Sequence, residues 1–99
     1  MDTNLDRKQR DLDLNVQLGN QFANLRDNAD LSQEQIAAQL GFARSTISKI
    51  EHGQRVLNAV EIPDYAQALR LSPSVIFGEI DRIVTEYDSS KQDEPGAAS

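Results

Sequence analysis

The sequence predicts an all-α domain. Three observations carry this: apolar residues recur at intervals of three and four from about Val16 to Tyr87, Pro63 and Pro73 sit where helices open, and Gly41 and Gly53 close two short periodic runs. The 99 residues make one domain, and so small a core is marginal alone, since domains near 60 residues bury only about 60% of their unfolded surface. Without cysteine, disulfides, thiolate-bound zinc and cysteine catalysis are excluded. No apolar run approaches the roughly 20 residues that span a bilayer, and MDTNLDRKQRDLDLN has no signal-peptide core, so a soluble, intracellular protein is expected.

Residues 1–15 are polar and of mixed charge, with Leu5 and Leu12 seven apart and Asp6 placed to pair with Arg10. They read as a polar arm or a short helix. A helix over about 16–28 follows, with Leu18, Phe22 and Leu25 on one stripe and Asp30 and Leu31 at its end. Ser32 is placed to cap the next helix at Gln33, and Gln35 stands where a capping box needs it. Ile36, Ala37 and Leu40 form its apolar face, and Gly41 suits the left-handed turn that ends it. Arg44 to His52 is the third helix, with Ile47 and Ile50 in the core and Gly53 as its stop; Ala43 is a poor cap, about 1 kcal/mol weaker than a hydroxyl residue. Helices joined by so short a turn cross at roughly 90 to 120°.

Proline is tolerated in a first helical turn and costs about 3 kcal/mol in an interior, so a fourth helix is placed from near Ile62 or Pro63 to Arg70, burying Tyr65, Ala66 and Leu69. Tyr65 reads as a core aromatic with its tip in water. Ser72 and Pro73 open a fifth helix, in which Ile76, Ile80, Ile83 and Tyr87 alternate at four and three, beside Phe77 and Val84. Gly78 weakens it by about 1 kcal/mol. The distal Ile80, Ile83, Val84 and Tyr87 require another surface; a symmetric partner helix is the simplest, and folding back on helix 1 or the N-terminal segment is the alternative. The expected organisation is thus an arm or short helix at 1–15, a domain at 16–78, a dimerising helical extension at 79–88 and a disordered acidic tail at 89–99.

With Ile47 and Ile50 buried, the third helix presents Arg44, Ser45, Thr46, Ser48 and Lys49: two cations, three hydroxyls and no acid before Glu51. An arginine can bridge guanine O6 and N7, hydroxyls serve base or phosphate, and lysine does both, so this face suits the DNA major groove. The net charge of −6 opposes nucleic acid. Its distribution answers the objection. From Gln33 to Arg55 the cations Arg44, Lys49 and Arg55 outnumber the acids Glu34 and Glu51, while carboxylates crowd the N-terminal segment and the chain after Val60.

On Gln33, Ala37, Gly41 and Ile47 the segment resembles the helix-turn-helix family of phage repressors, Cro proteins and bacterial Xre-type regulators, over roughly Leu18 to Phe77. The resemblance implies a compact five-helix repressor-like domain that binds a roughly palindromic double-stranded operator as a homodimer and acts as a transcriptional regulator, most simply a repressor. It implies base contacts by Arg44, Ser45, Thr46 and Lys49, and backbone contacts by Gln33, Ser48, His52, Arg55 and Asn58. It also implies a structural ion pair between Arg26 and Glu51; dimerisation through Ile80, Ile83, Val84 and Tyr87 rests on the stripe of the fifth helix, which is longer than the family domain requires. Phe42 fills a turn position usually held by a smaller aliphatic and reads as packing on the domain.

Arg7, Lys8 and Arg10 could reach DNA as an arm, although a solvated terminus is the plainer reading. Enzyme readings fare poorly: His52 is the only histidine, no glycine-rich phosphate loop exists, and Asp11 with Asp13 and Asp93 with Glu94 look like solvated charge rather than metal ligands. No enzyme activity, metal or cofactor is expected. The alternative function is an antitoxin-type module that neutralises a protein partner through its terminal segments. A cytoplasmic, bacterial or phage-encoded protein, nucleoid-associated when bound, is the implied setting.

Overall fold

A computed structural model describes residues 3–92, in five helices with no strand among them: α1 (Thr3–Asn28), α2 (Gln33–Leu40), α3 (Arg44–Glu51), α4 (Glu61–Ala68) and α5 (Pro73–Gln92). The α2–α3 segment follows the sequence reading closely. Ser32 Oγ accepts from Gln35 N at 3.1 Å while Gln35 Oε1 accepts from Ser32 N at 2.8 Å, a complete capping box. Gly41 ends α2 at φ 71°. Ile36, Ile47, Ile50, Tyr65 and Ile76 are fully buried and knit α2 to α5 around one interior, with Phe22 bringing α1 into it. The Phe22 and Tyr65 rings lie 5.2 Å apart at 57°, within the tilted geometry that aromatic pairs favour.

The ends depart from expectation. No joint separates an arm from helix 1; a single helix of 26 residues runs from Thr3. The chain carries no glycine or proline before Gly19 to interrupt it, and Leu14 extends the buried stripe of Phe22 toward the N-terminus at 5% exposure. At the other end α5 continues through residues 89–92, four of those assigned to a disordered tail, and residues 93–99 of that tail lie outside the described residues.

The two extensions cover each other. Gln21 donates to Glu79 at 3.1 Å, the Tyr87 hydroxyl to Asp13 at 2.8 Å, and Arg10 grips Asp88 through two bonds of 3.0 and 2.9 Å. As position rises on α1 it falls on α5, so the helices run antiparallel. Leu14 and Ile83, 5% and 6% exposed, are buried in this stretch. Of the stripe expected to meet a partner helix, Ile83 is buried within one chain, Ile80 packs on its core, Tyr87 is bonded to α1 and Val84 is half-buried. Part of the apolar stripe is covered by the N-terminal extension, whose helical character makes folding back geometrically available.

Two further points concern α4. Tyr65 is buried to its tip, with no hydrogen-bond partner for its hydroxyl among the described residues, so the tip is not in water, and burial drives its ionisation well above the ordinary tyrosine range. Pro63 is the third residue of the helix, within its first turn. The turn before it is held by Asn58, discussed below.

Candidate nucleic-acid interface

The third helix opens without help from its cap. Ala43 has the extended geometry of a cap (φ −72°, ψ 150°) but supplies no side-chain bond, so tertiary contacts must fix α3. At its far end, α1 crosses in backbone contact: a Cβ on Gly19 would stand 2.6 Å from the carbonyl oxygens of Ile50 and Glu51, and one on Gly53 would stand 2.8 Å from the backbone nitrogen of Val16. Gly53 also takes φ 77°, the left-handed region where glycine alone is unstrained. It lets Gln54 N reach back to the Lys49 carbonyl at 2.8 Å and close the last turn.

Glu51 locks the same end from inside. Its carboxylate accepts from Arg26 Nε at 2.6 Å, Arg26 Nη2 at 3.1 Å and Gln33 Nε2 at 2.9 Å, and Arg26 Nη1 donates to the Leu31 carbonyl at 2.8 Å. The side chains are 12% and 5% exposed. Gln33 is thus joined to this pair and steadies α3 through Glu51. Burial of that pair takes the only acid of α3 off its surface.

What α3 leaves outside is cationic and hydroxylic. Arg44, Ser45, Lys49 and His52 are exposed, and Thr46 and Ser48 are half-exposed. Arg44 and Lys49 make no ion pair or side-chain hydrogen bond among the described residues. His52 Nδ1 lies 2.7 Å from the Ser48 carbonyl, so that nitrogen carries the proton and Nε2 faces outward. The expected base-contacting set shares one helix and one open face.

Arg55 and Asn58, expected at the DNA backbone, are both engaged within the chain. Arg55 donates to both oxygens of Glu61, at 3.2 and 2.8 Å, and its guanidinium lies 5.1 Å above the Phe42 ring. Asn58 Oδ1 accepts from Val60 N and Glu61 N at 3.0 and 2.8 Å, while Glu61 Oε1 accepts from Asn58 N at 3.0 Å. Asn58 is exposed and Arg55 half-exposed, and both side chains brace α4. This is a second capping box, and Asn58-x-x-Glu61 is the pattern that would have revealed it, as it did at Ser32 and Gln35. The sequence signal for Gly19 is an unbroken apolar stripe running past a mid-helix glycine. Phe42 packs on the core as expected.

An apolar groove of about 230 Å³ opens beside α1, lined in part by Leu18, Phe22, Leu57, Ile62 and Ile80. Val56 on its wall is 60% exposed, and Phe77, on the turn of α5 before Ile80, is 45% exposed. Among the described residues no cluster of His, Cys, Asp and Glu could hold a metal ion, and no helix is long and apolar enough to cross a membrane.

Residues 17–76 match a family described as a helix-turn-helix domain. The control protein C.MunI from a Mycoplasma species is 34% identical over 71 residues, covering 71% of this chain and 96% of that protein. Among solved structures, the restriction-modification controller protein C.AhdI from Aeromonas hydrophila is 38% identical, with a TM-score of 0.59 over 65% of this chain and 96% of its own. The restriction-modification controller protein C.Esp1396I, solved as a tetramer with its natural 35-base-pair operator, covers 73% of this chain and 95% of its own at a TM-score of 0.62; at 22% identity the likeness is one of fold.

Proposed function

The chain belongs to the helix-turn-helix domain family, and from that premise we propose that it is a sequence-specific DNA-binding transcriptional regulator, a repressor in its simplest form, that sets α3 in the major groove of a roughly palindromic operator. The observation that carries this is the face of α3: Arg44 and Lys49 stand outward without partners among the described residues while Glu51, the helix's one acid, is buried against Arg26. Arg44, Ser45, Thr46 and Lys49 read bases, with Arg44 giving the largest discrimination at one position, about 1 to 3 kcal/mol. Ser48 and His52 face the phosphate backbone, and Gln33 does so from the start of α2. The named relatives of 34% and 38% identity, a control protein and a restriction-modification controller, favour the same regulatory class.

Two copies act together. Few free cations face outward from α3, so one subunit gains little from counterion release, and pairing two half-sites about 34 Å apart, or a multiple of that, supplies the affinity. The pairing surface joins the partly exposed Ile80, Val84 and Tyr87 of α5 to the apolar groove beside Val56 and Phe77, whose wall Ile80 shares. Selection of bound duplexes from a randomised library, run with the wild type and Arg44→Ala, tests the reading. A two-fold symmetric consensus that loses one base preference in the variant is expected; enrichment of no sequence at any salt concentration overturns it.

A further inference from the structure

We propose that Arg55 serves DNA binding as a positioning residue, clamping the loop that leaves α3 against Phe42 and α4, and makes no phosphate contact of its own. The proposal rests on the DNA-binding reading above. A cation beside a recognition helix invites assignment to phosphate, yet this one is committed on three sides. Its backbone nitrogen donates to the Lys49 carbonyl in the last turn of α3 at 3.3 Å. Its guanidinium makes the two-bond fork with Glu61 that suits a planar donor, and its flat face covers Phe42 in the turn between α2 and α3.

Glu61 in turn closes the capping box with Asn58, so a single circuit joins the α2–α3 turn, the end of α3 and the first turn of α4. The α2–α3 turn precedes α3 and the braced loop leaves it, so the circuit ties the segments at both ends of α3. A phosphate reaching Arg55 would either displace the bidentate carboxylate and leave Glu61 uncompensated, or take the remaining donors with a second anion beside it. The arrangement favours a neutral brace that holds α3 at a fixed angle.

Charge alone predicts the opposite of the brace. Removing the negative charge of Glu61 near DNA should tighten binding, and freeing Arg55 for phosphate should tighten it again. If the circuit positions α3, Glu61→Gln weakens binding instead. The test measures affinity of the wild type, Arg55→Ala, Arg55→Lys and Glu61→Gln for the selected duplex across a salt series, with circular dichroism to verify folding.

Expected are losses of about tenfold for Arg55→Ala and for Glu61→Gln, the scale of one charge-assisted hydrogen bond, no further loss when the two are combined, no rescue by Arg55→Lys, and a salt slope equal to that of the wild type. A slope smaller by about 0.9 in Arg55→Ala, or tighter binding by Glu61→Gln, overturns the proposal and makes Arg55 a phosphate contact; wild-type affinity in both variants overturns it as well. If Arg55→Ala fails to fold, Glu61→Gln, which keeps the shape of the side chain, decides by its sign. Failure of the wild type to bind any duplex identifies the DNA-binding reading as the part at fault.

Discussion

The family-matched region, residues 17–76, and the arm built from the outer turns of α1 and α5 solve the same problem by different means. The first encloses Ile36, Ile47, Ile50, Tyr65 and Ile76 completely and buries the Arg26–Glu51 ion pair with them, at 12% and 5% exposure. The second buries Leu14 and Ile83 and is stitched at its surface, with Arg10 and Asp88 at 39% and 42% exposure. Removing one partner of a buried pair strands a charge away from water, whereas a surface pair is screened and adds little. In the core, then, a polar contact is part of the stability; in the arm it sets which turns of α1 and α5 lie side by side.

The sharpest way to break this contrast is Arg26→Ala. It leaves Glu51 buried with Gln33 as its remaining donor, and a loss of about 3 to 5 kcal/mol is expected, a large part of the roughly 5 to 15 kcal/mol typical of a domain. Urea unfolding measures it. A loss no larger than that of an exposed pair would show that the core pair is held as loosely as the arm. DNA binding would also vanish, through unfolding rather than through a lost contact.

Two glycines sharpen the comparison with opposite signs. Gly19 meets the Ile50 and Glu51 carbonyls, so an added methyl at Gly19→Ala must part α1 from α3, with an expected loss of about 1 to 3 kcal/mol. Gly78, in α5 where the arm begins, has nothing within 4 Å of the site of a Cβ. Gly78→Ala should therefore gain roughly 0.5 to 1 kcal/mol from helix propensity alone. Thermal unfolding of both variants measures the two shifts, and a gain at Gly19 would refute the close crossing.

The core was readable before any coordinates because each of its elements announces itself locally. Ser32 with Gln35, Gly41 and the spacing of Ile47 and Ile50 each specify a boundary or a face by rules that act within a few residues. Arg26 and Glu51 were paired through the family resemblance, since 25 positions separate them. The arm was less legible. The stripe on α5 established that Ile83 and Tyr87 needed a partner, but a periodicity states only that a surface must be covered, and a second copy and residues 3–15 satisfy it equally. Gly19 and Arg55 failed for a related reason: one is defined by a crossing carbonyl and the other by Glu61 and Phe42, and neither shows in the residue's own neighbourhood.

The smallest expected effect separates the regions by pH. In the arm the Tyr87 hydroxyl, with help from Gln9, holds the Asp13 carboxyl below its ordinary range, and the Arg10 guanidinium does the same for Asp88. A carboxyl lowered in the folded state contributes stability that is present above its unfolded value, about 3.9, and is lost as pH falls through the lower folded value. Between neutrality and about pH 5 the arm should therefore be unaffected, and below about pH 4 it should loosen. Amide hydrogen exchange reads this directly: protection at residues 6–14 and 84–90 should fall ahead of that in α2 and α3 as the solution is acidified. Tyr87→Phe removes the hydroxyl that lowers Asp13 and should flatten part of the acid response while leaving the core untouched. Simultaneous loss of protection in both regions would mean that arm and core unfold as one cooperative unit, and that the surface stitching carries no independent stability.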